Sequence, residues 1–254
     1  MPQLVSDRVF TQLLEAVLSG RYPVGEKLPR QRALAAELGV TMSSLREALK
    51  RLEQMGIVEV RHGDAMRVRD WRERGGLDIV PYLLFRSGRV DARLLSDVFE
   101  ARGLMLRDLA ELAARRGAGP AADRLVELAD ALAAGPDAAE APALDFEFFA
   151  ELTSLGGNLI FVLILNSIRA FYFENAAALP ITTRMEELGP LYARAARAVS
   201  DGDPETARDA VAELAGRQRE RVEAVAAAWT RAADEDDASP EAGGTSPGRQ
   251  GAAS

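Results

Sequence analysis

Three apolar stripes at helical spacing, each closed by a glycine, give way after residue 56 to two short extended runs, and few folds accommodate that succession. From Ser6 to Leu18 the residues Val9, Phe10, Leu13, Leu14 and Val17 recur on one helical face, with Gly20 at the expected C-terminal stop. RYPVGEKLPR is a turn-rich connector, and QRALAAELG resumes the pattern with Leu34, Ala35 and Leu38, ending at Gly39. Val40 and Thr41 lead into MSSLREALKRLEQMG, where Leu45, Leu49 and Leu52 form one stripe. Ser43, Ser44, Glu47, Lys50 and Arg51 lie mainly on its other side. IVEVRHGDAMRVRD then predicts a hairpin, Ile57 to Arg61 and Met66 to Asp70, turning around His62, Gly63 and Asp64.

Helix, helix, tight turn, helix and hairpin is the order of a winged helix-turn-helix, which we place at residues 1–70. The polar WRERGG stretch predicts a linker over 71–78. From 79 to 233 six segments keep helical period without strand-like alternation, so the expected fold class is mainly α: the winged head plus an all-α antiparallel helical bundle. Pro120, Pro142 and Pro204 sit at or near first turns, where a missing N–H costs little. Residues 234–254 are rich in Gly, Ser, Pro and Ala and predict a disordered tail.

The net charge of −8 hides an asymmetry. Residues 1–74 hold 13 Lys/Arg against 10 Asp/Glu, whereas the rest holds 18 against 29. A mildly basic head could approach nucleic acid while an acidic body is repelled. Having no cysteine, the chain has no disulfide, thiolate metal site or cysteine nucleophile. The N-terminus lacks a basic region followed by an apolar one, and the longest apolar run, LIFVLIL at 159–165, is too short to span a bilayer. The expectation is a soluble cytoplasmic protein without a membrane partner.

The stretch GEKLPRQRALAAELGVTMSSLREALKRLEQMGIVEVRHG resembles the head of the GntR superfamily of transcription regulators. GGLDIVPYLL, LDFEFFAELTSLGGNLIFVLILNSIRAFYF and GDPETARDAV resemble its FadR-like branch, with an FCD-type C-terminal domain. The resemblance covers about residues 5 to 230. It implies a homodimer that places two recognition helices and two wings on double-stranded operator DNA, and a small-molecule effector in the body that changes operator affinity. It implies no enzyme.

Arg32 and Arg46 match the family's DNA-contacting arginines, and a guanidinium can grip guanine or phosphate bidentately. Their plain reading is as solvated helix-face arginines. Thr41, Ser43 and Ser44 match hydroxyl positions at the start of the recognition helix, where Thr41 is also a natural N-cap. His62 and Gly63 match the wing tip that enters the minor groove. Met42 stands where the family usually has a base-reading arginine, and Asp64 replaces a basic or glycine wing residue, so the operator need not match that of the branch.

Many FCD relatives hold a metal with one Asp and three His. The matching positions here are Asp145, Phe149, Tyr192 and Leu214, and the single histidine, His62, lies in the wing. The expectation is therefore no metal and no cofactor. Arg102, Asp145, Asn166, Arg169 and Tyr192, with Phe149 and Phe171 as apolar walls, are expected to line an effector pocket; each could equally be a satisfied core or surface residue. The branch implies an acyl-CoA or related organic-acid effector, and Arg217, Gln218 and Arg219 could meet CoA phosphates or block entry. Two competing readings remain: an enzyme using Asp145 with Glu147 or Glu151 as acid and base, and a ligand-blind dimeric architectural protein.

Overall fold

The computed structural model describes residues 4–59, 66–86, 89–175 and 181–238. His62, Gly63 and Asp64, and positions 239–254 of the expected tail, lie outside the described residues.

The head begins with α1 (Val5–Leu18), α2 (Gln31–Glu37) and α3 (Met42–Gln54). Their inward stripes, Val9, Phe10, Leu13, Leu34, Leu45, Leu49 and Leu52 among them, form one core. Strands β1 (Val58–Glu59) and β2 (Arg67–Val68) pair antiparallel, Val58 opposite Val68. The connector also joins this sheet. Leu28 N–H donates to the Met66 carbonyl (2.8 Å) and Val68 N–H to that of Glu26 (2.9 Å), which ties the wing to the segment between α1 and α2.

The stretch expected to be a polar linker instead forms a helical turn, α4 (Trp71–Arg74), with Asp70 as N-cap. A 3-10 turn (Leu77–Ile79) and α5 (Val80–Leu84) follow, and Ile79 and Leu83 close the head's core. Then comes a departure from the all-helical expectation: β3 (Phe85–Arg86) pairs with β4 (Arg89–Val90). Two-residue strands are too short to print an alternation in sequence. Phe85 and Val90 pack against a small cluster of Leu84, Leu95, Phe99, Ile181, Val222 and Ala226.

The body comprises α6 (Ala92–Arg116), α7 (Asp123–Ala133), α8 (Ala141–Leu155), α9 (Leu159–Asn175), α10 (Met185–Ser200) and α11 (Pro204–Ala238). Helix α11 packs along α6 and α10, and α8 lies against α6 and α7. Leu109, Ala113, Leu125, Leu132, Phe148, Leu152, Leu188, Val199 and Leu214 belong to its continuous core. Helices α7 and α10 approach closely at Gly189, where an added Cβ would lie 2.8 Å from the Ala133 Cα. Residues 234–238, expected to belong to the tail, instead continue α11, which runs to Ala238.

Candidate functional site

In the head, the turn between α2 and α3 is set by Gly39, whose φ of +64° is left-handed and favours glycine. Thr41 is extended, and its hydroxyl accepts the Ser44 N–H (3.2 Å), which caps α3. Burying Leu45, Ala48, Leu49 and Leu52 on the inner side leaves Ser43, Arg46, Glu47 and Lys50 exposed on the outer one. Met42 and Ser44 are half-buried, Met42 packing against the head's core. Arg32 is exposed on α2. Arg51 behaves differently: it pairs with Asp7 (2.5 Å) and lies over the Phe10 ring, 4.0 Å from its centroid. No described residue forms an ion pair or hydrogen bond with the side chain of Arg32, Arg46 or Lys50, so the cations on this face are uncommitted.

In the body, Asp145 of α8 is 1% exposed and is the centre of a polar cluster inside the apolar core. The Tyr172 hydroxyl donates to its Oδ2 (2.8 Å), and the Tyr192 hydroxyl donates to Oδ1. Gln218 Nε2 reaches Oδ1 (3.0 Å) and the Tyr192 oxygen (2.9 Å). Arg102 donates to Gln218 Oε1 (2.8 Å), stands 3.6 Å from Asp145 Oδ2 and covers the Phe149 ring, 4.7 Å from its centroid. Burial, reinforced by the adjacent Asp145 carboxylate, pushes both phenols far above the usual tyrosine range. Both therefore stay protonated and act as donors. No buried side-chain nitrogen or oxygen among the described residues lacks a partner.

Four of the expected pocket residues, Arg102, Asp145, Phe149 and Tyr192, come together here. Asn166 and Arg169 do not. Leu165 and Tyr172 mark the inward side of α9, and Asn166, one residue on from Leu165, is rotated outward and exposed. Arg169 lies at the flank, its guanidinium 5.1 Å from the Phe146 ring centroid. Tyr172 and Gln218 are members that sequence reasoning did not place in the pocket. Gln218 had a usable signal: it continues the stripe Val211, Leu214, Val222 along the inner side of α11.

The cluster does not fit a divalent metal. Its one carboxylate already accepts three hydrogen bonds beside a guanidinium, Phe149 and the fully buried Leu214 offer no donor, and Tyr192 holds its proton. Nor does it fit an acid–base pair: Glu147 is on the surface, 3.3 Å from Arg124, and Glu151, six residues along α8 from Asp145, is rotated about 120° away from it. Of the three α11 residues flagged for CoA, Gln218 is sealed in the cluster. Arg219 is tied to Glu223 (2.7 Å) and Glu100 (3.1 Å). Arg217 alone faces an open cleft of about 430 Å³, shared with Arg184, Glu187, Pro190, Leu191 and Glu213.

Residues 5–68 match the family described as bacterial regulatory proteins, gntR family, and residues 97–217 match the FCD domain. The chain is 38% identical over 211 residues to the HTH-type transcriptional regulator Mce2R of Mycobacterium tuberculosis, covering 83% of this chain and 88% of that one. It is 32% identical over 161 residues to the fatty acid metabolism regulator protein of Edwardsiella ictaluri, covering 63% and 66%. Among solved structures, Lar, which controls expression of the Listeria monocytogenes agr system, superposes with a TM-score of 0.54 at 18% identity, covering 87% of this chain and 98% of that one. That likeness supports the fold. The relatives are transcription regulators, not enzymes. Among the described residues no helix is long and apolar enough to cross a membrane.

Proposed function

Because the chain belongs to the GntR family of bacterial regulatory proteins, with an FCD domain following the winged head, we propose that it is a metal-free homodimer that binds a short, near-palindromic operator and releases it in response to an organic-acid effector. The observation that carries the reading is the outer face of α3. A capped helix N-terminus and uncommitted Arg46 and Lys50 stand together on solvent, as major-groove recognition requires.

In the body, Arg102, Asp145, Phe149 and Tyr192, joined by Tyr172 and Gln218, form the effector site. Arg102 and Tyr172 are the members with access to solvent, and an effector carboxylate recruits the Arg102 guanidinium away from Asp145 and Gln218. Reorganising a cluster that bridges α6, α8, α9, α10 and α11 would shift the helices that carry the head. The similarity to fatty acid metabolism regulators favours a fatty acyl-CoA as the first effector to test, and a different small organic acid is the second reading. Both use the same cation.

The test is binding of the full chain to DNA from its own upstream region at fixed salt, with and without a long-chain acyl-CoA and with and without a chelator. Saturable binding that acyl-CoA weakens and the chelator leaves unchanged is expected. Binding insensitive to acyl-CoA would remove that effector, and binding abolished by the chelator would overturn the metal-free reading.

A further inference from the structure

Helix α9 is apolar almost all round, LIFVLILNSIRAFYFEN, yet Leu165 is its one buried residue. It packs against α8 and the turn at Leu77–Ile79, while its far side is open. Leu159 is 67% exposed, Ile160 62%, Leu163 54% and Phe173 43%. Together these side chains present about 400 Å² of apolar surface, as large as the biggest patch on a typical monomer. No described residue covers them.

The spacing of the outward residues is informative. Leu159, Leu163, Asn166, Ala170 and Phe173 follow steps of four, three, four and three, the period of a helix seam that meets another helix along its length. The seam is also complementary to itself when reversed about its middle. With two copies antiparallel and centred on Asn166, Leu159 of one protomer meets Phe173 of its partner and the large Leu163 faces the small Ala170. The two Asn166 amides meet at the dyad, where each can donate to and accept from the other. A single polar residue inside an apolar seam is a device that fixes register.

Charge leaves a second copy unopposed at this face. Beyond residue 74 the chain carries 18 Lys/Arg against 29 Asp/Glu, so two bodies repel over most of their surface. Helix α9 carries one Arg and one Glu, and the seam carries neither. A patch of about 400 Å² supplies half of the ~800 Å² per partner that a stable interface buries, leaving the rest to flanking surface.

We propose that the outer face of α9 is the surface on which a second copy of this chain docks, as an antiparallel helix pair crossing at Asn166. The inference rests on the homodimer reading above but is separable from it. The chain has no cysteine, so single cysteines report proximity without background. In the full-length protein, Asn166→Cys is expected to form a covalent dimer under mild oxidation. Leu159→Cys is expected not to, because antiparallel copies hold those positions about 20 Å apart. Leu163→Glu, placed at an exposed site, is expected to weaken dimerisation by at least about 100-fold in analytical ultracentrifugation while circular dichroism is unchanged.

A wild-type dimer in which Asn166→Cys stays uncrosslinked and Leu163→Glu still dimerises would overturn the α9 seam and leave the homodimer standing. A wild-type chain that is monomeric at tens of micromolar would overturn both. Crosslinking of Leu159→Cys in place of Asn166→Cys would overturn the antiparallel register.

Discussion

The head and the body each concentrate polar groups at one place, and they do so in opposite ways. On the outer face of α3, Arg46 and Lys50 stand in solvent with no described partner, and the helix beneath is held by apolar residues on its other side. Around Asp145 every donor and acceptor is already matched inside the core. A site built to meet an external polyanion keeps its cations free and pre-organised. A site that reports a small effector can begin as a closed network, because breaking and remaking it is the signal.

The contrast is broken most severely by Asp145→Ala. Removing the carboxylate leaves Tyr192 without its acceptor, takes one of two acceptors from Tyr172 and from Gln218, and leaves Arg102 without its nearby charge, so the expected loss is about 3–5 kcal/mol in urea unfolding of the body. Asp145→Asn keeps one acceptor oxygen and is expected to lose clearly less. Equal losses would mean that the negative charge, and not shape, holds the cluster.

Tyr172→Phe sharpens the comparison at a single bond. Its ring keeps its neighbours Phe146 and Phe173, with centroids 5.3 and 5.4 Å away, but the donor to Asp145 is gone. About 1 kcal/mol of stability should be lost. In the head, Thr41→Ala removes the cap on α3 and is expected to cost about 1 kcal/mol, while Thr41→Ser keeps the hydroxyl and is expected to be near neutral. Thermal melts of the two variants against wild type read the difference.

The smallest effect concerns acid. Hydrogen bonds lower the carboxyl of Glu223 (from Ser96, then Arg219), of Glu111 (from Arg115) and of Asp203 (from Thr206) below their ordinary values of 4.5, 4.5 and 3.8. A carboxyl whose folded pKa is depressed adds stability above its unfolded pKa, and that stability is lost as pH falls through the folded value. Melting temperature is therefore expected to stay flat through mildly acidic pH and to fall below about 4. Asp203 is exposed and Glu111 and Glu223 are half-buried, so solvent still reaches all three and screening keeps the change modest.

The head was legible because each element carries its own mark: Gly20, Gly39 and Gly56 stop three helices whose apolar stripes reappear as the core. The six body helices were legible for the same reason. The β3–β4 hairpin and the turn at Trp71–Arg74 were not, since two-residue strands and a four-residue helix show no period. The buried cluster was half-legible. Arg102, Asp145 and Tyr192 stood out as polar residues on apolar helices, but so did Asn166 and Arg169, and only the rotation of α9 separates those that face Asp145 from those that face outward. Gln218 was obscured by two flanking arginines, although its helical phase placed it inside.

The central claim is that the outward face of α3 reads DNA through cations held free for it. It is tested most directly by titrating wild type and Arg46→Ala, both as full chains, against a fragment of the upstream region over a range of salt. Arg46→Ala is expected to leave the melting temperature unchanged, to weaken binding by at least about tenfold, and, where the contact is to phosphate, to flatten the salt dependence by about one unit. A folded Arg46→Ala variant that binds the fragment as tightly as wild type at every salt concentration would contradict the claim.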